Sequence, residues 1–291
     1  MAKTRARGRK TYTPEQREQW AQEREAKLKR LHGEIEDATA RIATSDEWVA
    51  WLKVASTFHR YSWHNTLLIM VQRPDATRVA GVKTWNKIKR KIVKGSKGIM
   101  IFTPRPVFKK DESGRIIEPR VVDFMRFGIG HVFDVADTEG DEIPEQPRPT
   151  LLTGEAPEGL WESLVTIAND HDFIVTDDVP TVSDTANGEM DASAKVIRVH
   201  PGRDDAQRVK TLIHEIAHMI LHRDEYSHRG IAEVEAESVA YLVTANHGLL
   251  SAGYTFPYVT GWADGKPEVV AATGERVMKT AHQILDVTKP E

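Results

Sequence analysis

One segment of the chain has the residue types and spacing of a metal site. His214 and His218 are four residues apart in His214-Glu215-Ile216-Ala217-His218, so on a helix both imidazoles lie on one face and can reach one ion. Glu215 then lies beside the open coordination position, where it can act as a general base. Bound Zn²⁺ would lower the pKa of a water molecule there to about 7. The pattern therefore indicates a hydrolytic zinc site.

The third ligand has its best candidates on the next predicted helix. The sequence contains no cysteine, so His and carboxylate side chains must hold any metal. Glu233 and Glu237 are one helical turn apart beside an apolar stripe, whereas Glu235 is predicted to face away from it. We assign Glu233 as the third ligand and Glu237 as the residue that orients a histidine. The reverse assignment of these two stays open.

Other polar residues near the motif are weaker candidates. Asp224 follows His218 by six residues, a geometry that needs a sharp turn where this chain has Leu221. His222 and His228 are more typical of surface or capping positions. The sequence leaves the oxyanion partner open among Tyr226, Tyr241, Tyr254, Tyr258 and His228.

Charge is divided unevenly along the chain. Residues 1–150 contain 29 Lys and Arg against 20 Asp and Glu, whereas residues 151–291 contain 11 against 23. Residues 51–110 contain 14 basic side chains and one acidic side chain, that of Asp75. Such a local excess attracts a polyanion, although a solvated basic face would have the same composition.

The basic residues cluster around a tryptophan and the turn at 95–98. Lysines beside aromatic platforms are typical of surfaces that bind single-stranded nucleic acid. The alternative is that the aromatic rings belong to the core and the lysines are solvated. The candidate contacts are Lys83, Trp85, Lys87, Lys89, Arg90, Lys94 and Lys97.

The elements that must position these residues predict an α+β fold in two halves. In the first half, helices are expected at about 13–44 and 45–58, and strands at 99–103, 105–110, 115–126 and 130–135. The turn at 111–114 suggests a hairpin. In the second half, helices are expected at about 157–170, 203–221, 231–246 and 268–285, with short strands at 173–175 and 195–200.

These elements suggest two domains. We expect a disordered basic tail, an N-terminal α+β basic domain, an acidic proline-rich linker and a C-terminal, mostly helical domain. Their bounds are 1–12, 13–137, 138–150 and 151–291, respectively. No apolar run approaches the roughly 20 residues of a membrane helix, and the basic N-terminus lacks the apolar core of a secretory signal. A cytoplasmic location is expected.

Motifs in both halves resemble known families. Ser62-x-x-Asn65, Gln72-x-Pro74, Thr84-Trp85 and Lys94-Gly95-x-Lys97-Gly98 resemble the N-terminal single-stranded-DNA-binding domain of ArdC-type antirestriction proteins. The motif His-Glu-x-x-His followed by Glu233-x-x-Ala236 resembles the ImmA/IrrE-like zinc metallopeptidases, which are of the gluzincin kind. Together the two resemblances cover about 12–137 and 150–250. They add Asn65 to the candidate nucleic-acid contacts and independently support Glu233 as a ligand.

The resemblance also implies a biological role. It suggests a protein of a mobile genetic element that binds single-stranded DNA, protects it from restriction and has a zinc metallopeptidase domain. A protein or peptide substrate is then expected, but no membrane partner. Two alternatives remain open: an ImmA/IrrE-type peptidase that cleaves a DNA-bound repressor, and a non-catalytic DNA-binding protein with a structural zinc. Residues 251–291 have no assigned role.

Overall fold

The fold is described by a computed structural model, and all structural statements concern the part of the chain that it describes. The described residues are 13–42, 45–58, 60–111, 115–117, 122–142, 155–183, 185–223, 229–249 and 266–289. The predicted tail at 1–12 and most of the predicted linker lie outside these ranges.

Three helices open the basic half. Helix α1 (Pro14–Arg41) begins at Thr13, whose side chain accepts a hydrogen bond from the backbone N–H of Gln16. Helix α2 (Ser45–Thr57) follows it. Helix α3 (Trp63–Gln72) begins at the N-cap Ser62. The sequence predicted α1 and α2 but identified only a short apolar segment at 67–71, because the serine cap five residues earlier was not recognised as a helix start.

A long hairpin dominates the rest of this half. Strands β3 (Ile99–Phe108) and β4 (Val122–Asp134) pair antiparallel, so a hairpin is present as predicted, but each of its strands unites two strands that the sequence predicted separately. The short strand β1 (Val79–Ala80) pairs with the far end of β4. Helix α4 (Val82–Lys87) follows β1, and strand β2 (Arg90–Ile92) follows α4. Strand β5 (Thr138–Gly140) pairs with β2, although the sequence places these residues in the linker.

Helix α3 covers the outer edge of β3 with two carboxamides. The Asn65 side chain donates to the backbone oxygen of Phe102 (2.9 Å) and accepts from its N–H (2.8 Å). Two helical turns later, Gln72 makes the same pair of bonds with Met100, both at 2.9 Å. These amides take the place of a neighbouring strand, so the edge of β3 is satisfied at both residues.

The second half is mostly helical, as predicted. Its helices are α5 (Leu160–Asp170), α6 (Asp205–His222), α7 (Arg229–Asn246) and α8 (Pro267–Thr288). Its three strands are β6 (Ile174–Thr176), β7 (Gly188–Asp191) and β8 (Val196–Val199), in the sheet order β6-β8-β7. The sequence did not predict β7, since its short Gly-Glu-Met-Asp stretch lacks the β-branched residues typical of strands. The α+β fold class is confirmed.

The two halves pack through one continuous apolar core. The indole N–H of Trp48 on α2 donates to the hydroxyl of Ser238 on α7 at 3.0 Å. The ring of Trp63 lies so close to Gly274 on α8 that an added Cβ would be 2.2 Å from its Cε3 atom. The described parts of the predicted domains therefore do not have separate cores. None of the described helices has both the length and the hydropathy of a membrane span.

Candidate metal centre and nucleic-acid interface

Helices α6 and α7 bring two histidines and one carboxylate together. The apolar face of α6 is buried, and its polar positions His214 and His218 face α7. Their Nε2 atoms are 3.0 Å apart. The Glu233 carboxylate on α7 has Oε2 at 3.6 Å from Nε2 of His214 and Oε1 at 3.8 Å from Nε2 of His218. The ligand atoms of the three residues lie within 4.8 Å of one another, so they could hold one metal ion.

The chemistry of this donor set fits a cation. Three atoms with lone pairs converge, and such atoms repel one another unless a positive charge lies between them. Burial lowers the pKa of His214, but hydrogen bonds to Glu233 and Glu237 outweigh the burial and raise it. Burial and the neighbouring charge of His214 lower the pKa of His218, so that ring is neutral. Two imidazoles and one carboxylate are a ligand set that suits zinc.

Glu237 contacts the other side of His214. Its Oε2 atom lies 3.1 Å from Nδ1 of His214, while its Oε1 atom accepts from Nζ of Lys210 at 2.8 Å. A bond at Nδ1 leaves Nε2 of His214 directed at His218 and Glu233. Glu237 thus lies where an orienting residue is expected and does not join the convergent ligand atoms.

His218 is held by a chain of polar groups that the sequence did not predict, and these groups are buried except for Arg276 at the outer end. Its Nδ1 atom lies 3.0 Å from Nδ1 of His222, whose Nε2 atom lies 2.8 Å from Oε2 of Glu235. Arg276 on α8 donates its Nε–H to Oε1 of the same carboxylate at 2.7 Å. We name these three residues, His222, Glu235 and Arg276, the relay. With His222 donating to Glu235, Nδ1 of His222 accepts from His218, which leaves the lone pair of His218 on Nε2.

One expectation is wrong here. His222 is 7% exposed, so it is not a surface residue, and Glu235, predicted only to face away from the apolar stripe, is 2% exposed. Glu235 does point away from the ligand atoms, but it points into the interface with α8. The spacing gave a usable signal: His222 continues the i, i+4 series of His214 and His218 along one face of α6.

Glu215 lies between the two ligand histidines and the edge strand β7. Its side chain is buried, and an added Cβ on Gly188 would come within 2.9 Å of its Oε1 atom. Burial raises the pKa of Glu215 to about 7, with His214 opposing the rise and the carboxylates of Glu233 and Glu189 adding to it. A carboxyl group with this pKa can both accept and donate a proton near neutral pH.

The alternative site residues fall mostly outside the described part of the chain. Tyr241 is described and is buried in the core. Those outside the described residues are Asp224, Tyr226, His228, Tyr254 and Tyr258.

Three of the candidate nucleic-acid contacts make hydrogen bonds within the fold. Asn65 bonds to the edge of β3, as described above. Trp85 is 3% exposed and donates its indole N–H to the backbone oxygen of Phe133 at 3.0 Å, so it has no free face for a base. Arg90 donates to the hydroxyl and backbone oxygens of Thr138 and to the backbone oxygen of Asp141, which ties β2 to β5. The composition of this region did not show that these side chains form hydrogen bonds within the fold.

The remaining candidates are exposed lysines around α4, β2 and the turn before β3. Lys89 forms an ion pair at 4.0 Å with Asp141, and both of these side chains are exposed. We name this set the lysine cluster. It consists of Lys83, Lys87, Lys89, Lys94 and Lys97.

The fold and the site define a basic α+β half joined to a helical half of the metallopeptidase type. Residues 19–148 match the family model described as the N-terminal domain of anti-restriction factor ArdC. Residues 175–253 match the model described as the IrrE N-terminal-like domain. The chain is therefore an ArdC-like protein with an IrrE-like second domain, and the resemblance inferred from the sequence is confirmed for both halves.

A solved structure supports the same architecture. The metal-free crystal structure of the antirestriction protein ArdC from the R388 plasmid is similar over 88% of this chain and 97% of that chain, with a TM-score of 0.55 and 16% identity. A Mn(II)-bound structure of that protein aligns over 82% of this chain and 97% of that chain, with a TM-score of 0.46 and 16% identity. No curated protein gives a significant match to the sequence. At this identity, the first similarity shows a shared fold.

Proposed function

We propose that this protein binds single-stranded DNA through its basic half and hydrolyses a peptide bond through its helical half. In this proposal it acts as an antirestriction or DNA-protection protein of a mobile genetic element, in the cytoplasm. The observation that carries the catalytic part is the convergence of His214, His218 and Glu233 beside the buried Glu215. The DNA-binding part is supported by the ArdC-type match and by the exposed lysine cluster.

In this proposal His214, His218 and Glu233 hold Zn²⁺. When bound, the ion supplies Lewis-acid chemistry, polarising the groups that react beside it. Glu237 fixes the orientation of His214, and the relay fixes the orientation of His218. His214 contacts the carboxylate of Glu237 directly, and His218 is connected to the carboxylate of Glu235 through His222. Each of these carboxylates is itself paired with a cation, Lys210 or Arg276.

Glu215 is the proposed proton carrier. It accepts a proton at its carboxylate from the attacking water and donates that proton to the nitrogen of the leaving amine. Its raised pKa of about 7 supports both roles near neutral pH. Strand β7 is an edge of its sheet among the described strands, and it lies against Glu215. An extended protein segment could pair with this edge and present its backbone beside the carboxylate.

Three full-length proteins test the catalytic part: wild type, Glu215→Gln, and Glu268→Gln as a matched control on an exposed part of α8. Each is assayed for bound metal and for protection of a plasmid transferred into a restricting host. We expect Glu215→Gln to keep its metal and lose protection, while the control protects like wild type. Undiminished protection by Glu215→Gln would mean that hydrolysis is not the mechanism and would favour the structural-zinc alternative.

The DNA-binding part is tested by fluorescence anisotropy of the full-length protein with a single-stranded oligonucleotide and with its duplex. We expect micromolar or tighter binding that prefers the single strand and weakens steeply with salt. The lack of any such binding by a protein that still protects DNA would favour the alternative in which an IrrE-type peptidase cleaves a DNA-bound repressor.

A further inference from the structure

The β3–β4 hairpin extends past the core as a two-stranded arm. We define the arm as residues 103–108 of β3 and 122–128 of β4. Residues 122–127 are all exposed, and they include Phe124 at 46%, Met125 at 47% and Phe127 at 65%. A strand this apolar is an aggregation hazard when nothing covers it, so its exposure indicates a binding partner.

Cross-strand register gives the two faces of the arm different chemistry. Arg105 lies directly opposite Arg126, and the next pair on the same face is Val107 and Phe124. The Arg126 guanidinium carbon lies 5.4 Å from the centre of the Phe124 ring. The opposite face has the pairs Pro104 with Phe127 and Pro106 with Met125. We name the first face, with Arg105, Arg126 and Phe124, the cationic face.

The two arginines of the cationic face lack a counter-charge within the described part of the chain. No described carboxylate lies within ion-pairing distance of either guanidinium. Like charges directly opposite each other destabilise a strand pair. An anion bound between the two guanidinium groups would reverse this repulsion, and the planar guanidinium suits the oxygens of a phosphate.

Gly128 leaves room for the Arg105 side chain. An added Cβ on Gly128 would be 2.5 Å from Nε and 2.8 Å from Cζ of Arg105, so the guanidinium lies directly over this glycine. A side chain at residue 128 would displace the flexible end of Arg105, so Gly128 favours the observed position of this charge relative to Arg126.

We propose that the cationic face of the arm is the surface of this protein that binds single-stranded DNA. A phosphate lies between Arg105 and Arg126, and an unpaired base stacks on the ring of Phe124. This inference rests on the proposed DNA-binding function and places its specific contacts away from the lysine cluster. The lysines then add long-range attraction, whereas the arm supplies the aromatic platform that Trp85 does not.

Full-length variants test the arm by anisotropy titration against the oligonucleotide and its duplex at several salt concentrations. The test variants are Arg105→Gln/Arg126→Gln and Phe124→Ala. The controls are Arg17→Gln/Arg24→Gln, which removes two exposed charges from α1, and Phe127→Ala, which removes the same ring from the opposite face. Thermal unfolding checks that every variant is folded.

We expect each test variant to bind the single strand about tenfold or more weakly. The arginine variant should also lower the salt dependence, by about 0.7 in the slope of log K against log salt for one lost phosphate contact. Both controls should stay within about twofold of wild type. Gly128→Ala keeps every charge but displaces Arg105, and it should give an intermediate loss.

The failure of this inference is distinct from the failure of the proposed function. If wild type does not bind the oligonucleotide, the DNA-binding function itself is wrong. If wild type binds and the arm variants bind equally well, only the arm assignment is overturned. Equal losses for single strand and duplex would overturn the base-stacking part. A Phe124→Ala variant that loses self-association but not DNA affinity would show that a second copy of the chain covers the arm.

Discussion

The metal centre and the arm use charge in different ways. In the metal centre, Glu235 and Glu237 each lie between a histidine and a cation, and most of these side chains are buried. In the arm, two exposed arginines face each other without a described carboxylate nearby. A metal site needs ligands held in one orientation, so their partners must be fixed in the fold. A surface that binds and releases a polyanion needs charges that are accessible and unpaired.

The comparison has a consequence for solution behaviour. Buried ionisable groups make the stability of the helical half depend on pH, because their pKa values differ between the folded and unfolded chain. Under the proposed function, exposed cations make DNA binding by the basic half depend on salt. Each of the following variants tests whether a given residue belongs to the buried, partnered class or to the exposed one.

The largest effect is expected from the carboxylates on α7. Glu233→Gln removes a converging ligand atom and should weaken Zn²⁺ binding by about 1,000-fold or more, whereas Glu237→Gln should weaken it by about 10- to 100-fold, as for residues that only orient a ligand. Competition with a chromophoric chelator measures both affinities. The reverse ranking would mean that Glu237 is the ligand and Glu233 the orienting residue.

The relay should give the next largest effect. Arg276→Gln leaves the buried carboxylate of Glu235 without its cation and should lower the free energy of unfolding by about 2 kcal/mol, less than for a fully buried pair because Arg276 is partly exposed. Lys279→Gln, on the exposed face of α8, should change it by less than about 0.5 kcal/mol. Urea titrations of the metal-free proteins measure these values.

A double variant separates the relay from simple helix packing. If Arg276 acts through Glu235, the combined change with Glu235→Gln should be less destabilising than the sum of the single changes. Strict additivity would mean that the two side chains stabilise the fold independently, and Arg276 would not belong to the relay.

The central residues of the candidate metal site could be grouped from the sequence because one helix carries most of them. Spacing along α6 determines which residues share a face, so His214, Glu215 and His218 could be placed together before the fold was known. The relay required knowledge of which helix packs on α7, and Arg276 lies 41 residues beyond Glu235. The spacing of apolar residues along a helix does not show which other helix it packs against.

The candidate nucleic-acid contacts were harder to predict, because an arginine or a tryptophan can stabilise the fold as well as bind DNA. Arg90 and Trp85 bond to backbone oxygens of distant strands. The hairpin that forms the arm was predicted, but the exposure of both of its faces depends on how far it extends beyond α3. A sequence pattern shows how apolar and polar residues alternate along a strand, but it does not show which other elements pack on that strand.

A partly buried histidine at the end of α7 should make stability pH-dependent. Burial lowers the pKa of His247 to about 4, and its Nε2 atom lies 2.9 Å from the Thr288 hydroxyl, at the end of α8. Because the folded-state pKa is below the unfolded value of 6.5, its contribution is present above pH 6.5 and is lost as the pH falls towards 4.

The size of this effect follows from the pKa difference. Between pH 7 and pH 5 the wild type should lose about 2 kcal/mol relative to His247→Gln, at about 1.4 kcal/mol per pH unit. Urea unfolding of both proteins at pH 7, 6 and 5 measures the difference. Parallel loss in both proteins would assign the pH dependence to other groups, such as His282, whose pKa is also lowered by burial.

The smallest effect tests whether Asn65 belongs to the fold or to the DNA interface. Asn65→Ala removes two hydrogen bonds from the backbone of Phe102 and should lower the free energy of unfolding by about 1 to 2 kcal/mol. His64→Ala is a matched control, because His64 is the adjacent residue on α3 and is partly exposed. If Asn65 holds only the edge of β3, the folded variant should bind single-stranded DNA like wild type. A tenfold loss of affinity at unchanged stability would instead return Asn65 to the DNA interface, where the resemblance had placed it.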